Sequence, residues 1–546
     1  MRRHTLLAAA LTAGIISGIA YGQSCPKVGG TVTLAQNSEP GNLNPLIFPT
    51  TYDTNIQELV FNALVKPTGD LDYEGDLADS WTFSKDKKTI TFKLNRKATW
   101  HDGKPVTARD VAFTFTSLAD PKYNGGSYSE VQGIRGAVAY HDGKAKSVSG
   151  IRVVDDYTIS ITTDKVYAPI LATLAGIRIL PEHIYGKVPV ENWQKDATNR
   201  NPVGSGPFVF KTFRSGELIE LEANKNYFEG RPCLDRIIVR FGDANTMLAA
   251  LVKGEVDAAP VPVPSVATVK SNPKLKLTTV NQLSFDYVGT NLRNPVLADP
   301  AVREAMAYAI NRDAMVKGLM GGYGTVVDTV FPKSHWAYPK NVERIPYDPA
   351  LARKTLEAAG WKLSGNTRSK AGKTLKFRLF YTTGNPVRER SAALIQANLR
   401  QVGIQVDLQA MDFPTLVTYL LPKDAKGTPR AVRASDFDLF ILGFGIERDP
   451  SEYLSYFVPS DQPPNGYNFT GYTAKDGGDL LRAGQETVDT AQRRSLYNRF
   501  GLLMRKQLPW IPLTQPQALY AHQPRLHNFA PDIRGVNVNV TQWWVE

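Results

Sequence analysis

Apolar and polar positions alternate along residues 375–381 (LKFRLFY), which sets Leu375, Phe377, Leu379 and Tyr381 on one face and predicts a half-buried strand. Residues 404–410 (IQVDLQA) alternate in the same way. Residues 437–444 (FDLFILGF) are almost continuously apolar, the pattern of a strand covered on both faces. Helical periods separate these runs. Residues 387–402 predict a helix stopped at Gly403, and a shorter helix follows near 414–421. Upstream, Asp299-Pro300 offers an N-cap with proline at the first helical position, and Val302, Ala305, Met306, Ala309 and Ile310 fall on one helical face. Asp348-Pro349 repeats the device, with Gly360 as the stop. Strand, helix, strand, helix, strand predicts a layered α/β domain with a largely parallel sheet.

The first half has a different rhythm. Thr31–Leu34 predicts a strand, proline-rich residues 38–50 a loop, Asn55–Val65 a helix, and Trp81–Leu94 a hairpin. The tetrapeptide HDGK occurs twice, at His101–Lys104 and His141–Lys144, and a repeated His-Asp pair invites a catalytic or metal reading. Its context favours architecture. Asp102-Gly103 is a turn dipeptide, and Thr107-Ala108-Arg109-Asp110 has capping-box spacing for a helix carrying Val111, Phe113 and Leu118. The second copy precedes an expected hairpin turning at Asp155-Asp156. The tail, residues 511–546, returns to strand-like sequence and is expected to rejoin the first domain.

With 546 residues the chain is too long for one domain, so two or three are expected. Arg2 and Arg3 followed by an apolar run from Leu6 to Ala20 predict a cleaved secretory signal ending at Gly22, and hence a periplasmic protein. Cys25 follows the expected cut, but Gly22 and Gln23 suit a lipid-anchor signal poorly. Cys25 and Cys233 are the two cysteines, a candidate disulfide in an oxidising compartment or two separate thiols. Formal charge is +12, yet Lys and Arg are dispersed among acids with no basic run interleaved with aromatics, so no nucleic-acid partner is expected. Gly204-Ser205-Gly206-Pro207 is not a nucleophile elbow, and neither a metalloprotease helix motif nor a phosphate-loop lysine is present. No enzyme activity, metal or cofactor is therefore expected.

ADSWTFSKDKKTITFKLNRKATWHDGKPVTARDVAFTF (78–115) resembles the signature of family 5 extracellular solute-binding proteins, the oligopeptide- and dipeptide-binding components of ABC importers. NPVGSGPFVF (201–210), NYFEGRPCLDRIIVRF (226–241), ALVKGEVDAAPV (250–261), DPAVREAMAYAINRD (299–313), YDPALARKTLEAAGW (347–361) and NFTGY (468–472) extend the resemblance over the mature chain. It implies an α/β fold of the type II periplasmic-binding-protein kind: two lobes, a hinge and an inserted domain. Domain I would comprise 23–62, 178–289 and 508–546, domain II 63–177, and domain III 290–507. Cys25 and Cys233 would both fall in domain I.

The resemblance also implies a monomeric receptor that hands short peptides to an ABC permease and its ATPase subunits, meeting the membrane only through the permease. Oligosaccharide and metal-complex receptors of the same family are the alternatives, and a secreted hydrolase is the alternative of another class. In peptide-binding relatives an acid in a Trp-x-x-Asp motif captures the ligand's ammonium. The matching stretch here is GFGIERDP (443–450), with Phe444 in place of Trp, Glu447 in place of Asp, and a loop one residue short. Either Glu447 or Asp449 could serve, while Asp449 also stands where it would cap a helix beginning at Pro450. Glu39 in the loop NSEPGNLNP (37–45), Tyr52, Tyr467, Asn468 and Tyr472 are the further ligand-site candidates.

Overall fold

The computed structural model describes residues 25–546 except Phe48, Asp70, Leu71 and Glu447. The expected signal segment, residues 1–22, lies outside the described residues. In chain order, the elements that frame the lobes are strand β1 (Thr31–Gln36), helix α1 (Thr51–Val60), strands β2 (Lys276–Asn281), β3 (Ser284–Thr290) and β4 (Lys376–Thr382), helix α2 (Pro386–Arg400), and strands β5 (Gln405–Met411), β6 (Leu439–Gly445), β7 (Trp510–Pro512) and β8 (Thr514–His522).

The large lobe is built on an eight-stranded sheet. Its order is β2, β8, Ala258–Pro260, β1, Arg236–Phe241, Leu218–Ala223 and Phe208–Arg214, with Gly324–Val326 pairing to the start of β8. A four-stranded antiparallel sheet formed by Ala78–Phe83, Thr89–Leu94, Thr158–Thr162 and Ile151–Asp155 joins the same lobe. Phe92, Trp100, Phe115, Ile159 and Ile161 from this part and Val32, Ile219, Leu221 and Ile237 from the large sheet bury into one continuous apolar core. The tail pairs into the large sheet through β8.

The α/β lobe carries the five-stranded sheet β5-β4-β6-β3-β7, with α2 packed on β4 and β5. β4 runs parallel to β5 and β6, as the strand–helix succession predicts. β3 runs antiparallel to both of its neighbours, β6 and β7, so it is the one reversed strand among five that otherwise share a direction. The reversal has a simple cause: β3, like β7, comes from a segment outside the strand–helix repeat, where the chain passes between lobes. These passages fall at residues 281–284 and 512–514.

Local caps account for most helix limits. Asp299 and Asp348 cap their helices through Ala301 N and Leu351 N. Helix α1 begins at Thr51, four residues before the expected start, because Asp53 accepts from both the backbone N and the Oγ1 of Thr50 and closes a capping box there. The first HDGK is architecture. Gly103 takes φ +88°, Asp110 accepts from Thr107 N at 2.8 Å, and the capped helix spans Ala108–Leu118. His101 Nδ1 accepts from Gly204 N at 3.3 Å while Nε2 donates to the Gly206 carbonyl at 3.0 Å, an arrangement that needs a neutral ring. Gly204 and Gly206 press on the end of α1, where a Cβ on Gly204 would sit 1.9 Å from the Val60 carbonyl oxygen. In the second copy, His141 ends a short helix and stacks on Tyr128 at 3.8 Å.

Cys25 and Cys233, 208 residues apart, are disulfide-bonded, which decides between the two readings of these thiols. The bond ties the segment ahead of β1 to the large sheet, beside the Gly29 N to Cys233 carbonyl hydrogen bond of 2.7 Å. Replacing both cysteines with serine should lower unfolding free energy by about 2–5 kcal/mol, read from urea denaturation. An unchanged midpoint would mean the bond does not form. Burial of the His101 ring pushes its pKa from 6.5 down to about 4. The unfolded chain therefore takes up a proton that the folded chain refuses, and stability should fall as pH drops from 6.5 to about 4. His101→Gln should flatten that part of the stability–pH curve.

Candidate functional site

The large-lobe wall of the site forms where β1 ends. Gln36 Nε2 donates to the carbonyls of Ser38 and Tyr52, and its Oε1 accepts from Asn55 Nδ2, which locks the loop after β1 to the first turns of α1. A pocket of about 380 Å³ opens against them, its polar lining supplied mainly by Gln36, Asn37, Tyr52, Asn55, Gln282 and Gln517. The side-chain oxygen of Asn37 is buried without a hydrogen-bond partner, as is that of Asn537 on the same pocket.

The facing wall is the carboxyl end of the five-stranded sheet, where open α/β sheets bind their ligands. β6 follows β3 as far as Gly445 but stays with β4 only from Leu439 to Ile441. Beyond Ile441 no described strand pairs with the β4-side edge of β6, so its peptide groups from Leu442 to Gly445 are open to an added strand. Two glycines keep this edge low. A Cβ at Gly445 would meet nothing within 4 Å, whereas one at Gly443 would sit 2.7 Å from Arg388 Nη2. Arg388 is held over Gly443 by Asp286 at 3.0 Å and Thr382 at 3.1 Å. Burial raises the carboxyl pKa of Asp286, while Arg388 opposes the shift. The two walls adjoin directly: Gln282 lines the pocket, and the next residue, Leu283, accepts a hydrogen bond from Ile446 just past β6.

The sequence-predicted residues divide sharply. Tyr52 stands at the mouth of the large-lobe pocket. Tyr467, 50 % exposed, stacks on Tyr456 at 5.8 Å in the α/β lobe. Phe444 is buried among Phe285, Tyr453, Tyr456 and Trp510. Asn468 is fully buried and staples its own loop, donating to the Val458 and Tyr472 carbonyls and accepting from Tyr472 N. Tyr472 is buried, its hydroxyl on Gln507 and Asp476. Glu39 braces the large lobe: burial opposes ionisation, but Gly216 N–H, Ser215 and Arg200 hold its carboxyl below the usual range. Asp449 caps the turn Pro450–Tyr453 through Ser451 N, and its other oxygen meets Arg493 at 2.8 Å in a buried ion pair. Glu447 lies outside the described residues.

Sequence reading missed the polar lining of the large-lobe pocket and the Asp286–Arg388 pair. It also passed over Arg448, which sits inside the quoted GFGIERDP and lines two further pockets together with Arg178 and Arg534. The glutamines and asparagines of the pocket have no motif spacing, because they converge from five separate segments of chain.

Two unequal lobes, joined by short passages and facing each other across an open strand edge and a polar pocket, define a two-lobed solute-binding protein. The chain belongs to the bacterial extracellular solute-binding proteins, family 5, whose middle-region model matches residues 72–465. It is 28 % identical to the oligopeptide-binding protein AppA of Bacillus subtilis, over 95 % of this chain and 92 % of that one. It is 27 % identical to the dipeptide-binding protein of Escherichia coli, over 88 % of each. Among solved structures, AppA in complex with a nonapeptide superposes with a TM-score of 0.72 at 27 % identity, covering 95 % of this chain and 100 % of that one. NikZ of Campylobacter jejuni in complex with Ni(L-His) gives 0.72 at 25 % identity, covering 94 % and 99 %. Members of this family are binding proteins rather than enzymes.

Asp449→Ala would leave Arg493 buried and unpaired, and should cost about 3–5 kcal/mol of stability by urea denaturation. A loss below about 1 kcal/mol would show that the pair does not hold this loop.

Proposed function

We propose that the protein is the extracytoplasmic receptor of an ABC importer, taking short peptides between its lobes and delivering them to the permease. The observation that carries this reading is the unpaired edge of β6 from Leu442 to Gly445, beside a polar pocket on the other lobe. An extended peptide laid along that edge gains main-chain hydrogen bonds that do not depend on its sequence. The buried, unpartnered oxygens of Asn37 and Asn537 support a guest rich in N–H donors, reached by a small rotation of either amide. AppA, solved with a nonapeptide, and the dipeptide-binding protein are both receptors for such ligands by name.

Export follows from the charged and apolar leader of residues 1–22. The disulfide takes up the sulfur of Cys25, which supports a freely diffusing rather than lipid-anchored form. Closure by rotation about the two passages at 281–284 and 512–514 would bury the peptide. The permease would then read the closed shape, with the receptor acting as a monomer. Glu447, directly after the edge strand and Ile446, is our candidate for the peptide's ammonium, a charge-assisted contact in a closed cleft. Glu447→Gln should weaken capture of peptides by at least about tenfold in native mass spectrometry or calorimetric titration. Unchanged affinity would remove this residue from the site.

A further inference from the structure

We propose that the junction of Arg178, Arg448 and Arg534 binds a carboxylate of the ligand. These three side chains line two adjoining pockets, of about 440 and 410 Å³, and Glu58 is the other charged residue common to both. Arg178 and Arg534 belong to the large lobe, whereas Arg448 follows β6 in the α/β lobe. The cluster therefore assembles across the interface. Arg178 is committed to Glu58 at 3.1 Å, and Arg534 grips Asp532 through Nη2 at 2.6 Å and Nε at 3.1 Å. The larger pocket also holds Lys66, Glu74, Asp76 and Glu229, whereas in the 410 Å³ pocket the lining acid is Glu58, which Arg178 holds. Arg448 Nε is buried and has no hydrogen-bond partner among the described residues.

The backbone presenting Arg448 is fixed on the C-terminal side of its side chain. Its carbonyl accepts from Trp336 Nε1 at 2.7 Å, and the next residue, Asp449, is held by Arg493. A guanidinium delivered by a pinned loop toward two others is disfavoured unless an anion enters between them, and a planar carboxylate matches its paired donors. The proposal rests on the peptide-receptor reading. Glu447 adjoins Arg448 in sequence, so a peptide whose first residue is acidic would bring its ammonium and a side-chain carboxylate to neighbouring positions. A ligand lying in the opposite direction would bring its terminal carboxylate instead. Both sources share one chemistry.

The test is competitive capture in native mass spectrometry from a set of alanine-rich peptides of graded length. Each peptide is offered in three forms: glutamate first, glutamine first, and glutamate first with an amidated carboxyl end. The wild-type protein should favour glutamate-first over glutamine-first peptides by at least about tenfold. Arg448→Gln should bring that ratio close to one, and Arg448→Lys should keep part of it. Discrimination against the amide instead would assign the carboxylate to the peptide's end and keep the site. Equal capture of all three forms by the wild-type protein overturns the carboxylate site while leaving the peptide receptor intact. Capture of none overturns the peptide reading first, and this inference with it.

Discussion

Gln515 is almost wholly buried where the two sheets meet, and its side chain fixes the geometry of the crossing. Its Nε2 donates to the Gln282 carbonyl at 2.6 Å and to Ser334 Oγ at 2.9 Å. Around it, Gln282 N donates to the Pro516 carbonyl, Leu513 N to the Asp286 carbonyl, and Val327 N to the Leu513 carbonyl. The two passages between lobes are therefore not slack linkers but hydrogen-bonded neighbours. Buried polar groups tolerate loss of partners poorly, so the lobes can rotate about this knot but cannot slide apart at it. Gln282 and Gln517 also line the large-lobe pocket. The hinge and the ligand wall thus share residues, and a guest that orders one acts on the other.

Legibility in the sequence followed locality. The strands near 375–381, 404–410 and 437–444, the caps at Asp299 and Asp348, and the HDGK turn into the Thr107 box all rest on contacts within a few residues, and each lies where its pattern placed it. β3 and β7 could not be assigned to the α/β sheet from periodicity, because their partners lie far along the chain: β3 pairs with a strand beginning at Leu439 and another beginning at Trp510. The early start of α1 reflects a capping box closed by Asp53 inside a stretch that proline and asparagine mark as loop. The disulfide stood as an open alternative until Cys25 and Cys233 were placed together.

The candidate site was less legible than the fold, for a physical reason. Motifs that persist in order along a chain report whichever residues cannot be exchanged, and the fold makes at least as many such demands as the ligand. Asn468 has the amide geometry to bridge three backbone groups of one loop. Glu39 satisfies a backbone amide, a hydroxyl and an arginine at once. Asp449 caps a turn and neutralises a buried guanidinium. Each is a polar residue whose neighbours leave it no alternative. The groups open to a guest, by contrast, are amides and peptide groups that could be supplied by many sequences.

That contrast suggests how a receptor of this kind divides its work. An open strand edge contributes affinity through groups every peptide possesses, so it cannot discriminate among them. Discrimination needs a contact that some ligands satisfy and others leave unpaired, because an unmatched buried charge costs more than a matched one returns. Net charge cannot supply it: +12 spread over the surface attracts anions generally and locates no pocket. A guanidinium at the junction of the lobes can, since Arg448 lines the same two pockets as Arg178 and Arg534 and its Nε has no partner among the described residues. Selectivity would then be expressed where the lobes meet, because the three guanidinium groups around one anion come from both of them.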